Sequence, residues 1–227
     1  QFGLRRNSQN SSEVFAKIAV KHENPKGVGV FLKDATGLGL SSPPGLSGFA
    51  GARPKPSPIL SLFSFLYKKE NVGFTLQFDD APSEPIEIAH GISVPSSFAN
   101  INVSEPNISN LYKGVQLIEV SLEEIAWGRS GDKGNKANIG IIARHPNLLP
   151  YIWDTFSEEK IIEIFSHFLE NDKIDRHYLP GISGVNFVLH DVLGGGGTTS
   201  LRNDPQGKGY AQVLLSCKIK VPKNLLV

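Results

Sequence analysis

Methionine is missing from all 227 positions, and cysteine occurs once. The single thiol, Cys217, excludes an internal disulfide and any zinc site built on paired cysteines. It lies in the alternating run 213–221, where the pattern favours a small strand or core residue over a nucleophile. Scarce cysteine points to a reducing compartment, and a cytoplasmic location is expected. A chain that opens on Gln1 is expected to be a processed product or a part of something longer. Its first twelve residues hold Arg5 and Arg6 but no acid, a faint likeness to a targeting segment.

Long apolar runs are also lacking. The longest, Pro58–Tyr67, is broken by serines and falls well short of the roughly 18–20 residues that cross a bilayer, so no membrane association is expected. Charge of one sign is absent too: 23 basic and 22 acidic side chains leave a net charge of +1. That balance gives no global pull toward nucleic acid, and none is expected as a partner. Any anion binding has to come from local placement. The six histidines form neither His-x-His nor His-Glu-x-x-His, so no metal site is expected. A hydrophobic fraction of 40% with 20% charged residues suffices for a sizeable core.

What the chain does have is two polar stretches hinged on glycine. The first is Arg129-Ser-Gly-Asp-Lys-Gly-Asn135 and the second Leu193-Gly-Gly-Gly-Gly-Thr-Thr-Ser-Leu-Arg202. Glycine lets backbone N–H groups approach a ligand that a side chain would hold away. In the first stretch Arg129 and Lys133 are suited to clamp a carboxylate or phosphate, with Ser130 and Asn135 as polar contacts. Asp132 there serves as base, acid or ion-pair partner; the competing reading is a hairpin turn whose charges meet solvent. In the second, Gly195 and Gly196 offer bare backbone, Thr198, Thr199 and Ser200 offer hydroxyls, and Arg202 a guanidinium. Lys208, in the turn Asp204-Pro-Gln-Gly-Lys-Gly209, adds a further cation. His190 and Asp191, just before the glycines, form the candidate acid–base pair; the competing reading is a satisfied histidine at a strand end. Gly-Asp-Lys-Gly lacks the spacing of a Walker loop, and Ser130 lacks a nucleophile elbow.

The rest of the chain divides in two. Residues 1–110 are rich in Pro, Gly and Ser: a helix is expected over 12–21, a strand over 28–32, and an irregular stretch over 41–58. A buried strand or short helix is expected over 59–67, a strand over 72–78, a turn at 79–82, and a loose connector over 91–114 with Asn102 and Asn107 in Asn-x-Ser form. Residues 111–227 are denser. Strands are expected within 115–127 and over 138–144, 174–179, 184–190 and 210–221. Ser157 caps a helix over 157–169 whose stripe is Ile161, Ile164, Phe165 and Phe168. One long helix on a mostly antiparallel sheet is an α+β two-layer sandwich, ferredoxin-like with its second helix replaced by the glycine loop or a turn, and preceded by an irregular α/β portion.

Gly128-Arg-Ser-Gly-Asp-Lys-Gly-Asn-Lys-Ala-Asn-Ile-Gly-Ile-Ile-Ala-Arg144, Val185–Arg202 and Asp204–Gly209 together resemble the C-terminal domain of the AtuA family, the acyclic terpene utilisation proteins. The resemblance covers about residues 115–222 and implies a ferredoxin-like fold. Gly51–Tyr67 resembles the tail of that family's large N-terminal domain. The implied role is in catabolism of acyclic terpenes or branched acyl compounds, at the acyl-CoA level, with no catalytic residue or cofactor carried over. The expected ligand is therefore a small anion such as an acyl-CoA. The alternative is a non-catalytic module that assembles with a partner, with its own copy or with a large AtuA-type domain.

Overall fold

The computed structural model describes residues 17–42, 44–46, 54–61, 63–87 and 103–226. Residues 62–104 form a small unit of their own, and the rest of the chain forms a larger one. In the smaller unit, β1 (Phe74–Leu76) and β2 (Glu84–Ile86) pair antiparallel in a fully exposed hairpin.

In the larger unit, α1 (Pro25–Ala35) stands where a strand was expected over 28–32. The Asn24 side chain accepts from the Lys26 N–H at 2.9 Å and Pro25 occupies the first turn, both strong starting signals for a helix. Val28, Phe31, Leu32 and Ala35 then fall at helical spacing and are half-buried, so the period of 3.6 outweighs a short alternation. A single turn, α2 (Leu38–Ser41), follows. Of the helix expected over 12–21, residues 12–16 lie outside the described set, and 17–21 are irregular. Residues 59–61 and 63–67 are exposed and without regular structure, which corrects the buried element expected there. Of the connector, Asn102 lies outside the described residues, and Asn107 closes an Asx turn by accepting from Ser109 N–H at 3.0 Å.

The densest part runs from 117 onward. β3 (Leu117–Ser121) pairs antiparallel with β8 (Lys218–Pro222). Ser121 and Glu124 form a capping box at the one-turn helix α3 (Leu122–Ile125). β4 (Ala126–Lys133) and β5 (Lys136–Ala143) make a hairpin, so most of the first polar stretch is strand rather than loop. α4 (Leu149–Thr155) has no counterpart among the elements expected from the sequence; it carries Pro150 in its first turn, where a proline costs nothing because its N–H would be unpaired anyway. α5 (Glu158–Phe165) starts at Ser157, whose hydroxyl accepts from Lys160 N–H at 3.2 Å. β6 (Ile174–Leu179) and β7 (Gly184–Leu189) complete an antiparallel sheet of order β4-β5-β7-β6. α6 (Tyr210–Leu215) replaces the first half of the strand expected over 210–221. Its buried residues Tyr210, Ala211 and Leu214 follow helical spacing, and the buried hydroxyl of Ser130 accepts from Ala211 N–H at 2.9 Å. This is the second helix that the pattern left unplaced.

The result is an α+β sandwich. Ala137, Ile139 and Ile141 of β5 and Val185, Phe187 and Leu189 of β7 point to one side of the sheet and are buried. α4, α5 and α6 pack on that side, where Trp153 of α4 meets Tyr178 edge-on at 5.2 Å and carries Arg176 over its ring at 3.7 Å. Upstream, Tyr112 donates to Asp154 of α4 at 2.6 Å, and its phenol is pushed up to about 12, first by burial and then by that carboxylate.

Phe187 is fully buried at mid-sheet, paired in register with Ile139 and Arg176. Phe187→Ala is expected to cost about 3–5 kcal/mol, read from the urea midpoint; a loss below about 1 kcal/mol would place the core elsewhere.

Candidate functional site

The two glycine-hinged stretches meet. β4 and β5 are joined by Gly134 and Asn135 alone, with Gly134 at φ 67°, the glycine-first two-residue turn that hairpin twist favours. Gly194 to Gly197 all have positive φ, from 49° to 93°, a conformation that any residue but glycine adopts only under strain. Gly196 approaches so closely that a Cβ on it would stand 2.0 Å from the Gly134 carbonyl oxygen.

Asn135 is the tie between them. Its Oδ1 accepts from Gly195 N–H at 2.7 Å, its Nδ2 donates to Asp191 Oδ1 at 3.0 Å, and its carbonyl accepts from Val192 N–H at 3.1 Å. Asp191, in the left-handed region at φ 45°, also accepts from Asn171 Nδ2 at 2.7 Å. Arg202 closes the base of the loop. Its guanidinium donates to the carbonyls of Val192 and Phe168 and lies 5.5 Å from the Phe168 ring centre. Ser200 Oγ accepts from Arg202 N–H at 3.1 Å, and Thr198 and Thr199 both donate to the Leu60 carbonyl. Ser130 donates to the Lys208 carbonyl at 3.1 Å as well as capping α6.

The acid–base pair read from the sequence is rearranged. His190 Nε2 lies 2.6 Å from Asp175 Oδ2 on β6, while Asp191 faces Asn135 and Asn171. Asp175 carried no signal in the sequence beyond its place in an alternating strand. The His190 hydrogen bond holds the Asp175 carboxyl below its usual range; burial opposes this, and the charges of His190, Lys173 and His177 lower it further.

Arg129, Lys133 and Lys208 stand apart from this internal bonding. All three are exposed, and among the described residues Lys133 donates to the Asp132 carbonyl, at 3.0 Å. Asp132 is half-buried near the end of β4. Arg129 points to the side of the sheet away from the helices. There it borders a shallow hollow of about 360 Å³ floored by Gly140 and flanked by Trp127, Ile142, Leu179, Ile182 and Asn186. Trp127 is 54% exposed and Ile142 41%, which marks this side as uncovered. The signal for it was present in the odd positions of β4, where Trp127 and Arg129 alternate with buried residues.

Residues 120–220 match the family model of the AtuA ferredoxin-like domain. The chain carries that domain in its C-terminal half. No curated protein and no solved structure matches the chain. The matched span of the AtuA ferredoxin-like domain contains both stapled loops, the His190–Asp175 pair and all four strands of the open sheet. Among the described residues no helix is long and apolar enough to cross a membrane.

Two outcomes follow from this geometry. Gly197→Ala imposes left-handed strain of about 1 kcal/mol and its methyl meets open space, whereas Gly196, at φ 68° and ψ 168°, holds a backbone open almost only to glycine and its methyl would also meet the Gly134 carbonyl. Calorimetry is therefore expected to show a clearly lower Tm for Gly196→Ala than for Gly197→Ala; equal values would mean that the loops do not touch. For Asp175, a carboxyl with a lowered folded pKa stabilises above its unfolded value of about 3.9 and loses that contribution as pH falls through the folded value. The stability gap between the native chain and Asp175→Asn is thus expected to be full at neutral pH and to close below about pH 4; a gap that persists to the lowest pH contradicts the pairing with His190.

Proposed function

We propose that the AtuA ferredoxin-like domain is the association module of a protein acting in the catabolism of acyclic terpenes or related branched acyl compounds. The observation that carries this reading is the uncovered sheet face, where Trp127, Ile142 and Leu179 line up across three strands beside exposed Arg129. A sheet needs a second layer on each apolar face, and here one side has helices and the other has none among the described residues. The two loops support it from the other direction. The side chains of Asn135, Ser130, Thr198, Thr199, Ser200 and Arg202 hold backbone groups of the chain itself, so they build the scaffold more than they offer a vacant cradle at Gly195 and Gly196.

A second reading rests on Arg129, which has no carboxylate partner among the described residues and borders the hollow over Gly140. In it, Arg129, Lys133 and Lys208 hold the anionic part of an acyl-CoA, the hollow takes a branched acyl chain, and Asp132 or His190 with Asp175 handles protons.

Trp127 separates the two readings, because the other tryptophan, Trp153, is buried. Acrylamide quenching of the native chain is expected to show Trp127 shielded at high protein concentration or on adding a large AtuA-type domain, and no longer shielded in Ile142→Glu. Shielding brought only by a branched acyl-CoA and abolished by Arg129→Ala would establish the second reading in its place. Full accessibility under every condition refutes association.

A further inference from the structure

A cavity of about 510 Å³ lies at the end of β5 opposite the stapled loops. Its walls are aliphatic. Ile125, at the end of α3, and Leu148, in the turn after β5, are almost fully buried, and the Ile125 carbonyl accepts from Arg144 N–H at 2.8 Å. Leu225 and Leu226 complete the walls from the turn after β8, which is fastened by Lys223 N–H to the Gln116 carbonyl at 3.0 Å. Among the described residues no Phe, Tyr or Trp lines the cavity. Its size falls within the range of about 300–1,000 Å³ that small-molecule sites occupy.

The polar groups in this cavity carry both signs of charge. Arg144 is held in place by the chain itself: its Nη2 donates to the Glu123 carbonyl at 3.2 Å, and its guanidinium lies 4.6 Å from the Trp127 ring centre. Among the described residues it has no carboxylate partner, so most of the N–H donors of its planar fork remain for a ligand. His145 adds another donor. Its Nδ1 accepts from Asn147 N–H at 3.2 Å, which leaves the ring proton on Nε2. Glu124 supplies the opposite charge. Its Oε1 accepts from Ser121 N–H at 2.7 Å in the capping box, and its second oxygen has no partner among the described residues.

We propose that this cavity binds an aliphatic α-amino acid as its zwitterion. Arg144 and His145 take the carboxylate, and Glu124 with the Asn224 side-chain carbonyl takes the ammonium group. The branched side chain lies against Ile125, Leu148, Leu225 and Leu226. A simple carboxylate of the same shape would stand beside Glu124 with nothing to offset the repulsion, and a simple amine would stand beside Arg144 in the same way. The inference is independent of the association reading, because it uses neither the loops nor the open face. Both charged side chains are exposed, so each contributes modestly, and a Kd of about 0.1–1 mM is expected.

Isothermal titration of the native chain with L-leucine tests this, beside isocaproate, which lacks the ammonium group, and isoamylamine, which lacks the carboxylate. Leucine is expected to bind, and each analogue to bind about tenfold more weakly or worse. Arg144→Gln is expected to weaken leucine by about tenfold or more. Glu124→Gln keeps the capping box, where glutamine serves as well as glutamate. It is expected to weaken leucine and to strengthen isocaproate, a change of preference that a damaged fold cannot produce; circular dichroism checks that both variants remain folded. No binding of leucine up to about 10 mM overturns the proposal. So does isocaproate that binds the native chain as tightly as leucine, or leucine affinity that either substitution leaves unchanged.

Discussion

Asn135 holds the architecture of this domain together at its most vulnerable point. The four glycines of 194–197 have no side chains with which to fix themselves, and ordering them carries a large entropic cost. A single amide side chain offsets part of that cost by serving both loops, accepting from Gly195 N–H and donating to Asp191. Its position is fixed by a hairpin turn of only two residues, so the strength of the β4–β5 ladder is passed directly to the glycine loop. Arg202 performs the complementary task at the loop's base, where its guanidinium supplies donors to the Val192 and Phe168 carbonyls. Cationic and hydroxyl side chains in a glycine-rich segment suggest a ligand cradle when read as sequence. In the fold most of them satisfy the backbone that the glycines leave bare.

This division of labour decides which cations remain available. Arg202 points inward, while Arg129, Lys133 and Lys208 are left at the β4 edge. Lys208 gains its position through an absence: Gly131 has no side chain, so the ammonium group lies over the strand. The main chain of Lys208 is held in turn by Ser130, which donates to its carbonyl, and by Asp204, which accepts from its N–H at 3.0 Å. A buried hydroxyl on one side of the sheet thus sets a charge on the other.

Much of this was legible from residue order. The strands at 138–144, 174–179 and 184–190 announce themselves by apolar alternation, and Ser157 with two following glutamates announces α5. Two helices were hidden for opposite reasons. α4 contains Pro150 in its first turn and follows Pro146, so local punctuation concealed a segment whose Ile152 and Trp153 are core residues. α6 is too short to show a period, and its start depends on Ser130, about eighty residues upstream, which no local pattern can reveal. The same holds for the acid–base pair. Adjacency in sequence suggested His190 with Asp191, but the strand ends at Leu189 and Asp191 turns into the left-handed region to face Asn135 and Asn171. The carboxylate that His190 meets, Asp175, comes from the neighbouring strand, next to Val188 in register.

That alternation also explains why the domain presents a face rather than a cleft. Along β5 the buried residues Ala137, Ile139 and Ile141 alternate with Asn138, Gly140 and Ile142, and only the first set has helices over it. Were the second set made for solvent, polar side chains would be expected throughout, as on most one-sided antiparallel sheets. Instead a glycine, an isoleucine and, across the register, a tryptophan occupy those positions. The mixture is too apolar for a purely solvated surface and too open for an enclosed pocket. Its glycines leave shallow ground between the side chains, and Arg129 stands beside the hollow over Gly140, a surface that suits the association reading. The pattern is that of a layer built to be covered.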